Sequence, residues 1–90
     1  MEDLESRKTY RRVRLNSTVK LMTSIDYKDR LKAEYQQLLI RIEGLVDTIK
    51  CYNSTLTPLE LDLYQQQLIA MNSYKNVLEL RAKIQDLELN

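Results

Sequence analysis

The chain predicts an all-α protein: an antiparallel two-helix hairpin carrying a short N-terminal arm or helix, completed by association with copies of itself. Three observations lead there. Leu31, Tyr35, Leu38, Ile42, Leu45, Ile49 and Tyr52 recur at intervals of four and three, a spacing that only an α-helix gathers onto one stripe, since a strand alternates with period two. A second helix start follows within a few residues of that stripe, at Thr57-Pro58-Leu59-Glu60. The composition agrees: among 90 residues there are one Gly, one Pro, no Trp and no Phe, and 30% are charged, which describes helices around a modest core.

Residues 1–22 form the arm. It opens on Glu2, Asp3 and Glu5 and turns basic at Arg7, Lys8, Arg11, Arg12 and Arg14, with Tyr10 set among the charges. Six Lys and Arg face three Asp and Glu over residues 1–20, five face five over 21–53, and three face five over 54–90. The net charge of +1 therefore hides a charge separation between the two ends. A short helix is expected around Asn16 to Met22, where Asn16 or Ser17 can cap and Val19, Leu21 and Met22 can pack.

Residues 23–90 form the hairpin. Its first helix is expected to start at Ser24 or Asp26, either of which can accept from the free N–H groups, and to end near Tyr52, a length of about 40 Å. Asp26 and Asp29 at the start and Lys50 at the end suit the helix dipole. Leu39 and Val46 widen the stripe to one side, and Gly44 at an interior position reads as a close approach of a neighbouring helix. The second helix begins at Pro58, with Thr57 as cap, Glu60 closing a capping box, and Leu56 and Leu61 placed as a hydrophobic staple. Its apolar set is Leu63, Ala70, Met71, Tyr74, Val77, Leu78, Leu80, Ile84 and Leu87. A link of about five residues makes the two helices antiparallel neighbours. One hairpin leaves Leu39, Val46, Leu80 and Leu87 partly wet, so copies are expected to cover them.

Several function classes fall away. No stretch nears the roughly 18 apolar residues of a membrane span, and the acidic opening is unlike a secretory signal, so a cytoplasmic protein without a membrane partner is expected. Cys51 is the single cysteine; it cannot form an internal disulfide, and its expected role is a small buried apolar residue. With no His, neither a metal set nor the commonest general base exists, so no cofactor and no enzymatic activity are expected. What remains is binding. Tyr10 with Arg11, then Lys20, then Tyr27, Lys28 and Arg30 at the head of the first long helix gather rings and cations that suit phosphates and bases. Arg and Lys neutralise phosphate oxygens, a Tyr ring offers a stacking face, and a helix N-terminus adds donors. A solvated basic arm accounts for the same residues without a ligand.

The run Asp26-Tyr27-Lys28-Asp29-Arg30-Leu31-Lys32-Ala33-Glu34-Tyr35, followed by Gln67-Leu68, Ala70-Met71, Tyr74, Leu78 and Arg81 in the second helix, resembles the hairpin domain of small phage proteins that include the anti-CBASS and anti-Thoeris sponges. The resemblance covers about two thirds of the chain. It implies a phage protein of the host cytoplasm that blocks CBASS-type antiphage defence. Such proteins assemble, as hexamers in the anti-CBASS members, and sequester cyclic dinucleotides or other cyclic oligonucleotides without cleaving them. It further implies that Tyr10 stacks on a ligand base, and that a lysine near the start of the hairpin, Lys20 or Lys28, contacts the ligand in a pocket shared by neighbouring protomers, with Arg11 and Arg30 adding phosphate contacts. A second, cyclic-trinucleotide site in some relatives uses an arginine of the second helix, where this chain has Gln67 and only the more distant Arg81. Two other classes stay open on the residues alone: a helical-hairpin module that lays a helix face on a host protein, and a basic arm on long nucleic acid, which the acidic C-terminal half disfavours.

Overall fold

A computed structural model of the chain describes residues 4–23 and 26–89. Four helices follow in order: α1 (Leu4–Ser17), α2 (Val19–Met22), α3 (Tyr27–Tyr52) and α4 (Pro58–Ile84). Among the described residues there is no strand. The arm is thus helical over most of its length, where the sequence suggested only a short helix around Asn16 to Met22. Neither proposed cap serves it: Ser17 ends α1 and its hydroxyl donates to the Arg14 carbonyl, while Thr18 holds the position before α2 with no side-chain capping bond.

The long helices start where their chemistry dictates. Asp26 takes an extended backbone and its carboxylate accepts from the Lys28 N–H at 3.0 Å, capping α3; Ser24, the other candidate, lies outside the described residues. At α4 the capping box closes both ways, Glu60 N–H to Thr57 Oγ1 at 3.1 Å and Thr57 N–H to Glu60 Oε1 at 3.2 Å, with Pro58 leading the first turn. That pairing satisfies two donors that would otherwise be orphaned. The far end of α4 closes just as fully. Leu87 N–H reaches the Ala82 carbonyl and Asp86 N–H the Lys83 carbonyl, with Asp86 at φ 53°, which is the Schellman arrangement. It turns the chain back so that Leu87 packs on the core and Leu89 is buried.

α3 lies in the middle. It packs against α4 on one side and against α1 and α2 on the other, and among the described residues α1 and α2 make no contact with α4. Partners run in opposite directions on both sides: Tyr35 Oη donates to Glu79 Oε2 at 2.8 Å across α3 and α4, while Arg7 meets Asp47, Arg14 meets Glu43 and Gln37 meets Thr18 across α3 and the arm. The core of Leu31, Tyr35, Leu78, Ala82 and Leu89 sits where α3 begins and α4 ends. Burial and the bond to the Glu79 carboxylate both push the Tyr35 phenol above its ordinary range.

Two expectations are corrected here. Most of the apolar set assigned to α4 faces outward: Leu63, Ala70, Tyr74, Val77, Leu80 and Ile84 are exposed, while Met71 and Leu78 turn inward alongside Leu61, Tyr64, Leu68 and Ala82, and Leu87 packs on the core beyond the end of α4. α4 carries two interleaved stripes, and the larger side chains of the outer one drew the reading to it. Cys51 is exposed rather than buried, and its sulfur accepts from Arg7 Nη2 at 3.6 Å on the side of α3 that faces α1. Leu39 and Leu87, expected to stay partly wet, are partly buried against the core, and Leu80 is exposed.

Candidate functional site

The basic arm becomes a helix with arginines at its inner positions. Leu4, Arg7, Arg11, Arg14, Thr18 and Leu21 recur at intervals of three and four and turn toward α3, while no residue of α1 is fully buried. What binds α1 is a ladder of ion pairs. Arg11 Nη1 lies 2.6 Å and Arg7 Nε 3.0 Å from the same Asp47 oxygen, and Arg14 Nη1 lies 2.6 Å from Glu43. Asp47 and Glu43 are four residues apart on α3, one helical turn, so they meet arginines one turn apart on an antiparallel neighbour. Burial pushes the Asp47 carboxyl up, but the bonds from Arg11 and Arg7 outweigh it and hold the group below its ordinary range. Bonds to Asp47 and Glu43 likewise raise Arg7 and Arg14. Arg11 passes over Gly44: a Cβ there would lie 3.4 Å from Arg11 Nε, an ordinary contact that the flexible arginine accommodates.

Thr18 pins the junction of α1 and α2. Only 2% exposed, it donates to the Leu15 carbonyl at 2.7 Å and accepts from Gln37 Nε2 at 2.8 Å, so its hydroxyl is satisfied on both sides. Beside it an open groove of about 250 Å³ runs between α1 and α3, lined by Arg14, Ser17, Thr18, Gln36, Leu39 and Ile40.

The residues read as ligand-binding fall into two places. Tyr10 projects from α1 and is 61% exposed, and the Arg14 guanidinium, itself held by Glu43, stands 5.3 Å from the ring centroid. A second pair of the same kind, Lys8 over Tyr52 at 5.9 Å, occupies the same end of the molecule. Such rings offer a flat apolar face with a cation already fixed against it, the property that base stacking uses. Tyr27, Lys28 and Arg30 are exposed at the other end, around the first turn of α3, and Lys20 is exposed on α2. Asp26 already takes one donor of that helix terminus and sets a carboxylate there.

Because α1 runs antiparallel to α3 and meets it at Glu43 and Asp47, Tyr10 stands about 30 Å along α3 from Tyr27. One chain therefore does not bring Tyr10 together with Tyr27, Lys28 and Arg30. Arg11 is committed to Asp47, and its side chain is only 12% exposed. The sequence alone leaves Arg11 open as a phosphate contact or as part of a solvated basic arm, and neither reading pairs Arg7, Arg11 and Arg14 with acids of α3. The arginines' intervals of four and three were the signal that they form one helical face, matched by Glu43 and Asp47.

Among the described residues no group of three or more His, Cys, Asp and Glu is placed to hold a metal ion, and no helix is long and apolar enough to cross a membrane. A family model described as Sequestin matches residues 25–84, two thirds of the chain. No curated protein and no solved structure matches.

Proposed function

Since the chain belongs to the Sequestin family, the phage cyclic-nucleotide sponges, we propose that it binds cyclic dinucleotides or related cyclic oligonucleotides in the host cytoplasm and withholds them, uncleaved, from a CBASS-type effector. The family match over residues 25–84 carries this reading. The exposed ring of Tyr10 backed by Arg14 supports it, as a stacking face whose cation is held in place before any ligand arrives. Sequestration needs no bond to be broken, only affinity, which stacking and phosphate neutralisation supply.

The site belongs to an assembly, a homo-oligomer and in this reading a hexamer. Tyr10 of one chain and Lys20 or Lys28, with Tyr27 and Arg30, of a neighbour supply the base-facing and phosphate-facing halves, because a single chain holds these groups too far apart for one dinucleotide. Arg11 joins the phosphate contacts only by leaving Asp47.

Isothermal titration with a panel of cyclic di- and trinucleotides tests the reading, followed by denaturation of the protein and recovery of the ligand. At least one member is expected to bind with Kd well below 10 μM and to return intact. Tyr10→Ala is expected to weaken it by one stacking contact, about 1–3 kcal/mol. If every member binds more weakly than about 10 μM, some 7 kcal/mol of affinity is missing and the sponge reading fails.

A further inference from the structure

The outer stripe of α4 is a self-complementary surface, and the geometry points to a two-fold seam in which α4 of one copy lies antiparallel on α4 of a second. Its large members are among the most exposed apolar side chains of the molecule: Ile84 is 85%, Leu59 68% and Leu80 61% exposed. The stripe recurs at intervals of four and three, the period of a helix seam rather than of scattered surface residues. It also reads the same from both ends about a point between Met71 and Asn72. Leu59 then meets Ile84 of the second copy, Leu63 meets Leu80, and Gln66 meets Val77. At the centre Ala70 meets Ser73, two small residues that let the backbones draw close.

The flanking charges obey the same symmetry. Glu60 and Asp62 stand at the first turns of α4, Arg81 and Lys83 at the last, and all four are exposed. In an antiparallel seam the flanks on one side bring Glu60 opposite Arg81 and those on the other bring Asp62 opposite Lys83, each pair formed twice by the two-fold. A parallel arrangement forms neither pair and instead gathers the acidic ends together and the basic ends together. Gln67 and Tyr74, one and two heptads along from Glu60, face each other near the centre, which gives the Gln67 amide a hydroxyl to bond. Large apolar pairs, small centre and opposite charges all select one partner, a second copy of this chain, and one direction.

This seam rests on the self-association in the proposed function and names its contact, but it involves no nucleotide and no residue of α1. It closes on itself, so through it alone assembly stops at a pair.

The experiment is sedimentation of the full chain without nucleotide. Leu80→Glu changes a side chain that one copy leaves in water, so helix content by circular dichroism is expected to stay the same while the mass falls at least twofold. Asp62→Lys and Lys83→Asp, each alone, set like charges across the seam twice and are expected to lower the mass at matched concentration. Mixed in equal amounts they restore opposite charges and are expected to regain it, as one-to-one pairs. An unchanged mass for Leu80→Glu, or no recovery on mixing, overturns the seam. So does a parent chain that sediments as a single copy, which assigns the stripe to a different protein. Titration of cyclic dinucleotides into the same samples reads the ligand separately, so loss of binding with an intact seam, or the reverse, tells the two readings apart.

Discussion

Asp86 occupies a backbone conformation that glycine takes at little cost, φ 53° at the end of α4. Left-handed backbone costs an L-residue about 1–2 kcal/mol, somewhat less for Asp, and here it is held by the two bonds that end the helix and by Leu87 and Leu89 on the core. Asp86→Gly relieves the strain but loosens the unfolded chain. The expected net gain is about 0.5–1 kcal/mol, or about 3–6 °C in Tm for a domain of this size, measured by thermal unfolding at fixed protein concentration. This return of the chain was not legible in the sequence, because Asp at that position carries none of the signal that Gly would.

At the scale of helices, starts and ends were legible where local chemistry alone decides them. Thr57, Pro58 and Glu60 announce α4, and Asp26 announces α3, since a cap acts within its own turn. The faces of α4 were not, because two stripes with the same period share that helix and only the position of α3 decides which one is covered. The docking of the arm stays hidden for a related reason. Arginines at inner positions look like surface charge until Glu43 and Asp47 are seen opposite them.

α1, which has no buried residue of its own and is held by ion pairs, is sensitive to acid and salt. The Asp47 carboxyl is held below its ordinary range, so its share of the docking is complete above the unfolded value of 3.8 and fades as pH falls below it. Amide chemical shifts of α1 are expected to move toward those of a free helix below about pH 3.8, with those of the α3 and α4 core following only later. Asp47→Asn is expected to loosen α1 already at neutral pH and to weaken the acid step; shifts of α1 that ignore both acid and the substitution would show that the ladder does not hold it.

For the molecule as a whole, the proposed assembly means that a chain with this much apolar surface left open draws stability from its neighbours. Mass action then makes Tm depend on concentration, since copies bind the folded chain and not the unfolded one. Tm is expected to rise over a hundredfold range of protein concentration for the parent chain and to stay flat for Leu80→Glu. Of the residues read as ligand-binding, Tyr10, Lys20, Tyr27, Lys28 and Arg30 are exposed and Arg11 is committed to Asp47. The geometry of the candidate site was not legible, because no pattern along one chain states which parts of two chains will meet.

The central place of α3 has a consequence for how such a protein can change over generations. The ring of Tyr10 and the outer side of α4 share no atoms, and one helix alone separates them. On the proposed readings each surface is free to drift on its own, one following the signals it must catch and the other the company it keeps, so long as α3 goes on fitting both of its sides.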